Sequence, residues 1–296
     1  MSISQQAAAA EKPSVAVSVK RKKTKSVIPG FGLSFGVTVS IMSLVVIIPL
    51  CSLIVYSSEL TLAQFWDTVT RPRIIASYKV SLLTAFSASL INMVMGLILA
   101  WVLVRYNFPG KRIIDGLIEM PFALPTAVAG IALTHLTVRS GPIGALFSSF
   151  GIDIAYTQLG ITVAMVFIGI PFVVRSVQPV LEKIEGEYEE AAFIMGASPF
   201  TAFRRVILPE ILPALVGGFT MAFARCLGEY GSVVFIAGNK PYETEIAPLA
   251  IMSDLQEFDY PGATSVALVM LIMAFVILFA NAVVQSRANR VINGIN

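Results

Sequence analysis

Two oppositely charged residues, Arg225 and Glu229, interrupt an otherwise apolar stretch of the chain. A charge at the centre of a bilayer costs about 2.5 kcal/mol or more, so such residues usually face protein or water and often mark a pathway. The spacing of four places both side chains on one face of a helix, where they can pair. Two interpretations stay open: Arg225 supplies positive potential where an anion passes and Glu229 holds it in position, or the pair fixes one helix to a neighbour.

Glycines beside these charges predict close helix packing, and prolines in another apolar stretch predict an interrupted helix. Gly228 and Gly231 allow close helix contact and bending of the helix during gating. Pro121 and Pro125 remove backbone donors from another apolar stretch, which kinks or unwinds a helix. Broken helices occur at membrane depth where they are buried in protein or face a wet cavity. We therefore expect the stretch with these two prolines to lie near the pathway.

A polar segment, residues 186–209, carries a further group of charges. Its carboxylates Glu187, Glu189 and Glu190 cluster where a short helix is predicted to begin, and they complement the positive end of the helix dipole. Gly196 has no Cβ, so it suits the left-handed conformation that ends a helix.

A second short helix is predicted to follow directly in the same segment. Ser198 is a suitable N-cap, and Pro199 stands at the first helical position, where a missing N–H costs nothing. Arg204 and Arg205 fall in the predicted last turn, where cations are favoured. Leu208–Pro209 is expected to close this helix. The segment therefore predicts two short helices joined by a tight turn, compact enough to fit a cleft on a partner.

The residue types needed for catalysis or for metal binding do not occur in a recognisable pattern. Gly110–Lys111 is the only Gly-Lys pair and lacks the upstream glycine of a phosphate-binding loop. The single histidine, His135, cannot build a metal site, and we interpret it as a satisfied core residue or a pore-wall group. Cys51 and Cys226 lie in apolar runs and give neither a disulfide framework nor metal spacing. We expect no cofactor on this chain, and any ATP hydrolysis must occur on another chain.

The composition predicts a membrane protein. Hydrophobic residues make up 56% of the 296 residues and charged residues 13%, against about 25% charged residues in soluble domains. A spanning helix needs about 20 mostly apolar residues. Six stretches of the chain qualify. The second is longer than a bilayer requires, whereas the fourth is short and contains Pro171. The six predicted spans are Leu33–Tyr56, Ile74–Val104, Gly116–Val138, Thr157–Val174, Ile211–Ala237 and Ala263–Val284.

Lysine and arginine counts predict the orientation of these spans. With the N-terminus in the cytosol, fifteen of the 21 basic residues fall on the cytosolic side, five on the outer side, and Arg225 within a span. Residues 1–32 then form a basic cytosolic tail without a cleavable signal, and its run Lys20–Lys25 either contacts anionic lipid or fixes the orientation. Residues 33–290 form the membrane domain, and residues 291–296 a cytosolic C-terminal end.

The outer loop before the last span is acidic. It either docks a soluble binding protein or is a plain solvated connection. Its apolar stretch Ile246–Met252 is expected to pack against a nearby part of the same protein. Its acidic residues are Glu243, Glu245, Asp254, Glu257 and Asp259.

The polar segment resembles a known family motif. Glu190-Ala191-Ala192, three residues, Gly196, nine residues and then Val206-Ile207-Leu208-Pro209 resembles the EAA loop of the permease subunits of ATP-binding-cassette (ABC) importers, with Val206 in the isoleucine place. These permeases are the inner-membrane components of binding-protein-dependent transport systems. In this family the loop is the helix pair that a separate ATPase grips.

Four longer blocks resemble the sulfate and thiosulfate branch of these permeases, which is close to the molybdate branch. The resemblance implies an all-α membrane protein of six transmembrane helices with the type I ABC importer permease fold, in a bacterial inner membrane. It further implies a heterodimer with a W-type permease, two ATPase subunits that carry ATP and Mg, and a periplasmic sulfate-binding protein. The blocks are Val104–Arg112, Pro121–Gly130, Gly169–Val180 and Leu227–Asn239.

The resemblance also implies roles for individual residues in import by alternating access. We expect contacts with membrane lipid and none with nucleic acid. The alternatives that stay open are a molybdate or tungstate permease, a secondary transporter or channel without an ATPase, and a plastid rather than a bacterial membrane. The expected ATPase-coupling residues are Glu190, Ala191, Ala192, Gly196, Leu208 and Pro209, and the expected pathway or gate residues are Arg225, Glu229, Gly228 and Pro125.

Overall fold

The computed structural model describes residues 31–184 and 187–292, and every regular element in these residues is helical. The chain divides into two compact units between Pro49 and Leu50, inside the first helix, and the second unit holds the other helices. The helices are α1 (Phe31–Ser57), α2 (Leu62–Thr70), α3 (Pro72–Arg105), α4 (Lys111–Ala123), α5 (Thr126–Thr137), α6 (Pro142–Ser148), α7 (Gln158–Lys183), α8 (Glu187–Ile194), α9 (Pro199–Ala202), α10 (Leu208–Leu227), α11 (Val233–Ile236), α12 (Ala247–Gln256) and α13 (Tyr260–Ile292), with a π-helical turn, Phe203–Ile207, between α9 and α10.

Five helical runs in the described residues are long and apolar enough to cross a membrane: α1, α3, α7, the run Pro199–Leu227 and α13 as far as Val283. The pair α4 and α5 adds a sixth span if it is counted as one, although its two halves meet at 115°. The all-α membrane architecture is therefore confirmed. The interrupted helix predicted over Gly116–Val138 is confirmed, because this span is bent between α4 and α5.

Pro125 accounts for the bend between α4 and α5. A residue that precedes proline is pushed away from the helical region, and Leu124 is accordingly extended, with φ −85° and ψ 131°. Pro121 does not unwind its helix, since α4 continues through it to Ala123. The predicted break therefore occurs at one of the two prolines only.

The helix α7 is longer than its sequence suggested. It runs over 26 residues and continues through both Pro171 and Pro179, so the prediction of a short fourth span is wrong. Its neighbour α3 has 34 residues, or about 51 Å of helix at 1.5 Å per residue, which confirms that the second span exceeds the bilayer thickness of about 30 Å.

The core of the second unit forms where α3, α7 and α10 pack together. Small residues permit this approach: a Cβ on Gly218 of α10 would lie 2.9 Å from the Cα of Val173 in α7. Close backbone approach of this kind is typical of helix pairs in membranes. One apolar cluster includes Ile161 and Phe223, and a second includes Val173 and Ile211.

The two ends of the predicted fifth span both differ from expectation. α10 begins at Leu208 and is continuous with α9 through the π-helical turn, so Leu208–Pro209 does not close a second short helix, and Arg204 and Arg205 do not lie at a helix end. The wider turn precedes Pro209, whose ring and missing N–H are incompatible with a regular helical bond. α10 then ends at Leu227, well before the predicted Ala237.

Candidate functional site

The ion pair Arg225–Glu229 lies at a break in the helical backbone. Arg225 belongs to the last turn of α10, whereas Glu229 lies beyond the helix end, so the two residues do not share one helix as expected. The predicted pairing is nevertheless present, with Arg225 Nη1 2.5 Å from Glu229 Oε2. The Glu229 side chain is 2% exposed and that of Arg225 35%. A largely buried carboxylate thus holds a guanidinium that still reaches an open space.

The second carboxylate oxygen of Glu229 connects the two sides of the break. Oε1 accepts hydrogen bonds from the Ser232 N–H at 2.9 Å and from the Ser232 hydroxyl at 3.0 Å. Hydrogen bonds to an ionised acceptor are roughly twice as strong as neutral ones. Glu229 therefore links the end of α10 to the start of α11. Sequence reasoning missed Ser232, although its spacing of three from Glu229 is typical of a local side-chain-to-backbone bond.

This break, residues 228–232, packs against the start of α5, next to the break at Pro125. A Cβ on Gly231 would collide with Thr126, and a Cβ on Gly130 would lie 2.7 Å from the Cα of Ser232. Two interrupted helices therefore meet at one place. Gly228 has no neighbour within 4 Å of an added Cβ, so the close contact expected there is not found.

Gly130→Ala should disrupt this meeting point. The new methyl group would collide with backbone atoms of Ser232. Backbone atoms cannot rotate away from it as the end of a side chain can. We expect a loss of about 1–3 kcal/mol of stability, as for other overpacked sites, measured as a lower midpoint of thermal unfolding in detergent. Gly116→Ala is the matched control, because this helical glycine has open space around it. Equal midpoints for the two variants would contradict the close packing.

The tight turn that the sequence predicted joins α8 to α9, although α9 continues into α10 and is not a separate short helix. Gly196 ends the first helix with φ +82°, and the Ala197 N–H donates to the Ala192 carbonyl at 2.9 Å, as in a glycine-terminated helix. Ser198 caps the second helix, where its hydroxyl accepts from the Thr201 N–H at 3.3 Å, and Pro199 follows at the first position. The left-handed glycine and the serine cap are confirmed.

This helix pair exposes apolar side chains. Ile194 is 87% exposed, Met195 81% and Phe200 72%. Exposed apolar groups clustered on short helices are typical of a surface that contacts another protein. Glu190 and Ala191 are exposed beside them, whereas Ala192 is buried. Leu208 and Pro209 lie further along the chain, at the start of α10.

The acidic loop before α13 is largely built into the fold. Glu245 is 1% exposed and accepts two hydrogen bonds from Arg73, at 2.8 and 2.6 Å. The Ala247 N–H donates to Ser81 Oγ of α3 at 2.8 Å. This confirms that the apolar stretch Ile246–Met252 packs against another part of the chain. Burial raises the pKa of the Asp254 carboxyl. Glu243 and Glu257 remain exposed.

The histidine and the cysteines take no part in a metal-binding group among the described residues. His135 is exposed on α5, so its interpretation as a core residue is wrong and the pore-wall interpretation stays a prediction. Cys226 is buried and Cys51 exposed, both as free thiols.

Known proteins resemble this chain along most of its length. Residues 92–291 match the family model described as the binding-protein-dependent transport system inner membrane component. The sulfate transport system permease protein CysT of Salmonella typhimurium is 49% identical over 271 residues, which cover 92% of this chain and 98% of that protein. The CysT protein of Synechocystis sp. is 45% identical over 87% of this chain and 90% of its own.

Solved structures share the fold. A chain of a bacterial ABC transporter that imports the acidic polysaccharide alginate superimposes with a TM-score of 0.72 at 17% identity, over 87% of this chain and 96% of that one. A chain of the MetNI methionine ABC transporter, in an inward-facing conformation, gives a TM-score of 0.57 at 20% identity. The match covers 77% of this chain and 99% of that one. The type I importer permease fold implied by the resemblance is thereby confirmed. The chain belongs to the inner membrane components of binding-protein-dependent transport systems, which are transport permeases rather than enzymes.

Proposed function

We propose that this chain is the permease subunit that carries sulfate, and with it thiosulfate, into the cytosol in an ATP-driven importer. The observation that carries this proposal is the near-half identity to sulfate permeases along almost the whole chain. The four sequence blocks that resemble the sulfate branch include both helix breaks, at Pro125 and at residues 228–232. The substrate assignment therefore involves the same residues as the candidate site.

The geometry at the breaks is compatible with the passage of a divalent anion. Such an anion needs hydrogen-bond donors and positive potential, yet deep binding would slow its release. Arg225 is partly exposed and supplies the potential, while Glu229 at 2.5 Å moderates it. Interrupted helices at membrane depth are tolerated in protein or beside a wet cavity, which favours a pathway next to Pro125 and Gly228.

The helix pair α8–α9 is the proposed contact for the ATPase. ATP with Mg binds on that separate chain, and closure of the ATPase dimer moves the helices. The membrane spans then rock from inward-facing to outward-facing and accept sulfate, and hydrolysis resets them. The coupling residues in this proposal are Glu190, Ala191, Ala192, Gly196, Leu208 and Pro209.

The proposed assembly contains this chain, a W-type permease, two ATPase subunits and a periplasmic sulfate-binding protein. The proposed location is a bacterial inner membrane, and the excess of basic residues on one side supports an orientation with both termini in the cytosol. The membrane domain is proposed at 33–290 and the terminal segments at 1–32 and 291–296. The first 30 residues and residues 293–296 lie outside the described part of the chain.

Competition between anions tests the substrate. The experiment measures ATP-driven uptake of labelled sulfate in vesicles that hold all four kinds of subunit, with excess thiosulfate or molybdate added. We expect thiosulfate to block uptake and molybdate to leave it unchanged. Inhibition by molybdate alone would keep the importer and overturn the assignment of sulfate.

A further inference from the structure

Both ends of the α8–α9 pair approach one end of α3. The pair is entered from α7, whose helical cap is Ile184, and it is left through the π-helical turn Phe203–Ile207. In this turn the Leu208 N–H donates to the Phe203 carbonyl, five residues back. Turns of this kind occur mostly as single insertions in helices and frequently at functional sites.

Two residues in the last turns of α3 hold both of these ends. The Trp101 ring meets the Phe203 ring edge to face, with centroids 5.4 Å apart and planes at 83°. Arg105 lies over the Trp101 ring, with its guanidinium carbon 5.6 Å from the ring centre. The same guanidinium donates from Nη1 and Nη2 to the Ile184 carbonyl, each at 3.3 Å. The entry and the exit of the helix pair are thus connected through Trp101 and Arg105.

An open apolar recess adjoins the aromatic contact. It has a volume of 310 Å³ and is lined by Leu97, Ile98, Trp101 and Phe203. Protein interiors are otherwise closely packed, and side chains within them have little room to move. The recess therefore leaves one side of the two rings uncovered by other side chains of this chain.

We propose that Trp101, Arg105 and Phe203 are positioning residues that transmit movement of α8–α9 to α3 and α7. This inference rests on the proposed function, since it requires that an ATPase moves the helix pair. The π-helical turn joins α9 directly to α10, so this movement reaches the spanning helix through continuous backbone. The ring contact and the bond to Ile184 transfer the same movement to the two other helices of the core.

The ratio of ATP hydrolysed to sulfate imported tests the proposal in the complete assembly. We expect Trp101→Leu to raise this ratio by about tenfold, within the range by which residues along a coupling route alter it, while ATP hydrolysis continues. Trp101→Phe keeps an aromatic ring at this position and should have the wild-type ratio of ATP hydrolysed to sulfate imported. Trp66→Leu is the matched control, because Trp66 is 68% exposed on α2 and outside the proposed route.

Each outcome has a separate meaning. A proportional fall of hydrolysis and import in Trp101→Leu, or an unchanged ratio, would overturn the proposal, because either indicates a structural role alone. Phe203→Leu provides the same test from the other ring if Trp101→Leu does not assemble, as judged by size-exclusion chromatography. ATP-independent import by the wild-type assembly would instead refute the proposed function, so the two failures are distinguishable.

Discussion

Glu190→Lys is expected to abolish ATP-driven import while the protein still inserts into the membrane in normal amounts. Glu190 is exposed near the start of α8, beside the apolar residues that form the proposed ATPase contact. Loss of a carboxylate near a helix N-terminus costs only about 0.3–1 kcal/mol, so the helix itself should persist. We expect import to fall about 100-fold or more, because a mismatched charge at a protein interface costs several kcal/mol.

The measurement compares labelled sulfate uptake with the amount of this chain in the membrane and the amount of ATPase that copurifies with it. Glu59→Lys is a suitable control, since Glu59 is exposed between α1 and α2 and lies on the outer side in the proposed topology. Its uptake should equal that of the wild type. Undiminished uptake by Glu190→Lys would refute the role of α8 in coupling.

Glu229→Ala is expected to cause the second large effect. The change leaves Arg225, the Ser232 N–H and the Ser232 hydroxyl without the carboxylate that now pairs with them. A hydrogen bond to a charged group contributes about 1.5–3 kcal/mol, and the carboxylate makes three. We expect a lower thermal midpoint in detergent and loss of import. Arg139→Gln with Asp153→Asn is the control, because that pair is exposed, with side-chain exposures of 78% and 39%, and exposed pairs contribute little.

A double variant separates the two interpretations of this ion pair. Arg225→Gln with Glu229→Gln removes both charges and keeps a hydrogen-bonding group at each position, so the folded amount should recover relative to Glu229→Ala. If Arg225 supplies potential to a passing anion, import should remain low in the double variant, whereas Arg225→Lys should retain most of it. Recovery of import together with folding would assign the pair a purely structural role.

The sequence predicted most reliably those features that depend on local chemistry. The left-handed Gly196, the cap at Ser198 and the break at Pro125 follow from the conformational limits of single residues, and the structure has all three. The apolar stretches predicted the spanning helices for a similar reason, because a bilayer demands about 20 apolar residues regardless of tertiary contacts.

The features that were missed depend on packing between distant segments. The chain from Ile211 to Ala237 is apolar throughout apart from its ion pair, so hydropathy gave no signal that α10 ends at Leu227. The break there is stabilised by Glu229 and by close contact with α5, neither of which has a periodic pattern. Likewise α7 passes through Pro171 within the core of α3 and α10, where neighbouring helices compensate for the lost backbone bond.

The ATP dependence of sulfate uptake tests the central claim most directly. Vesicles that contain this chain with a W-type permease, the ATPase and the binding protein are supplied with labelled sulfate, with and without ATP and Mg. The account predicts uptake only when ATP is present. Equal uptake in both conditions would contradict it, because the helix pair α8–α9 would then have no coupling role in import.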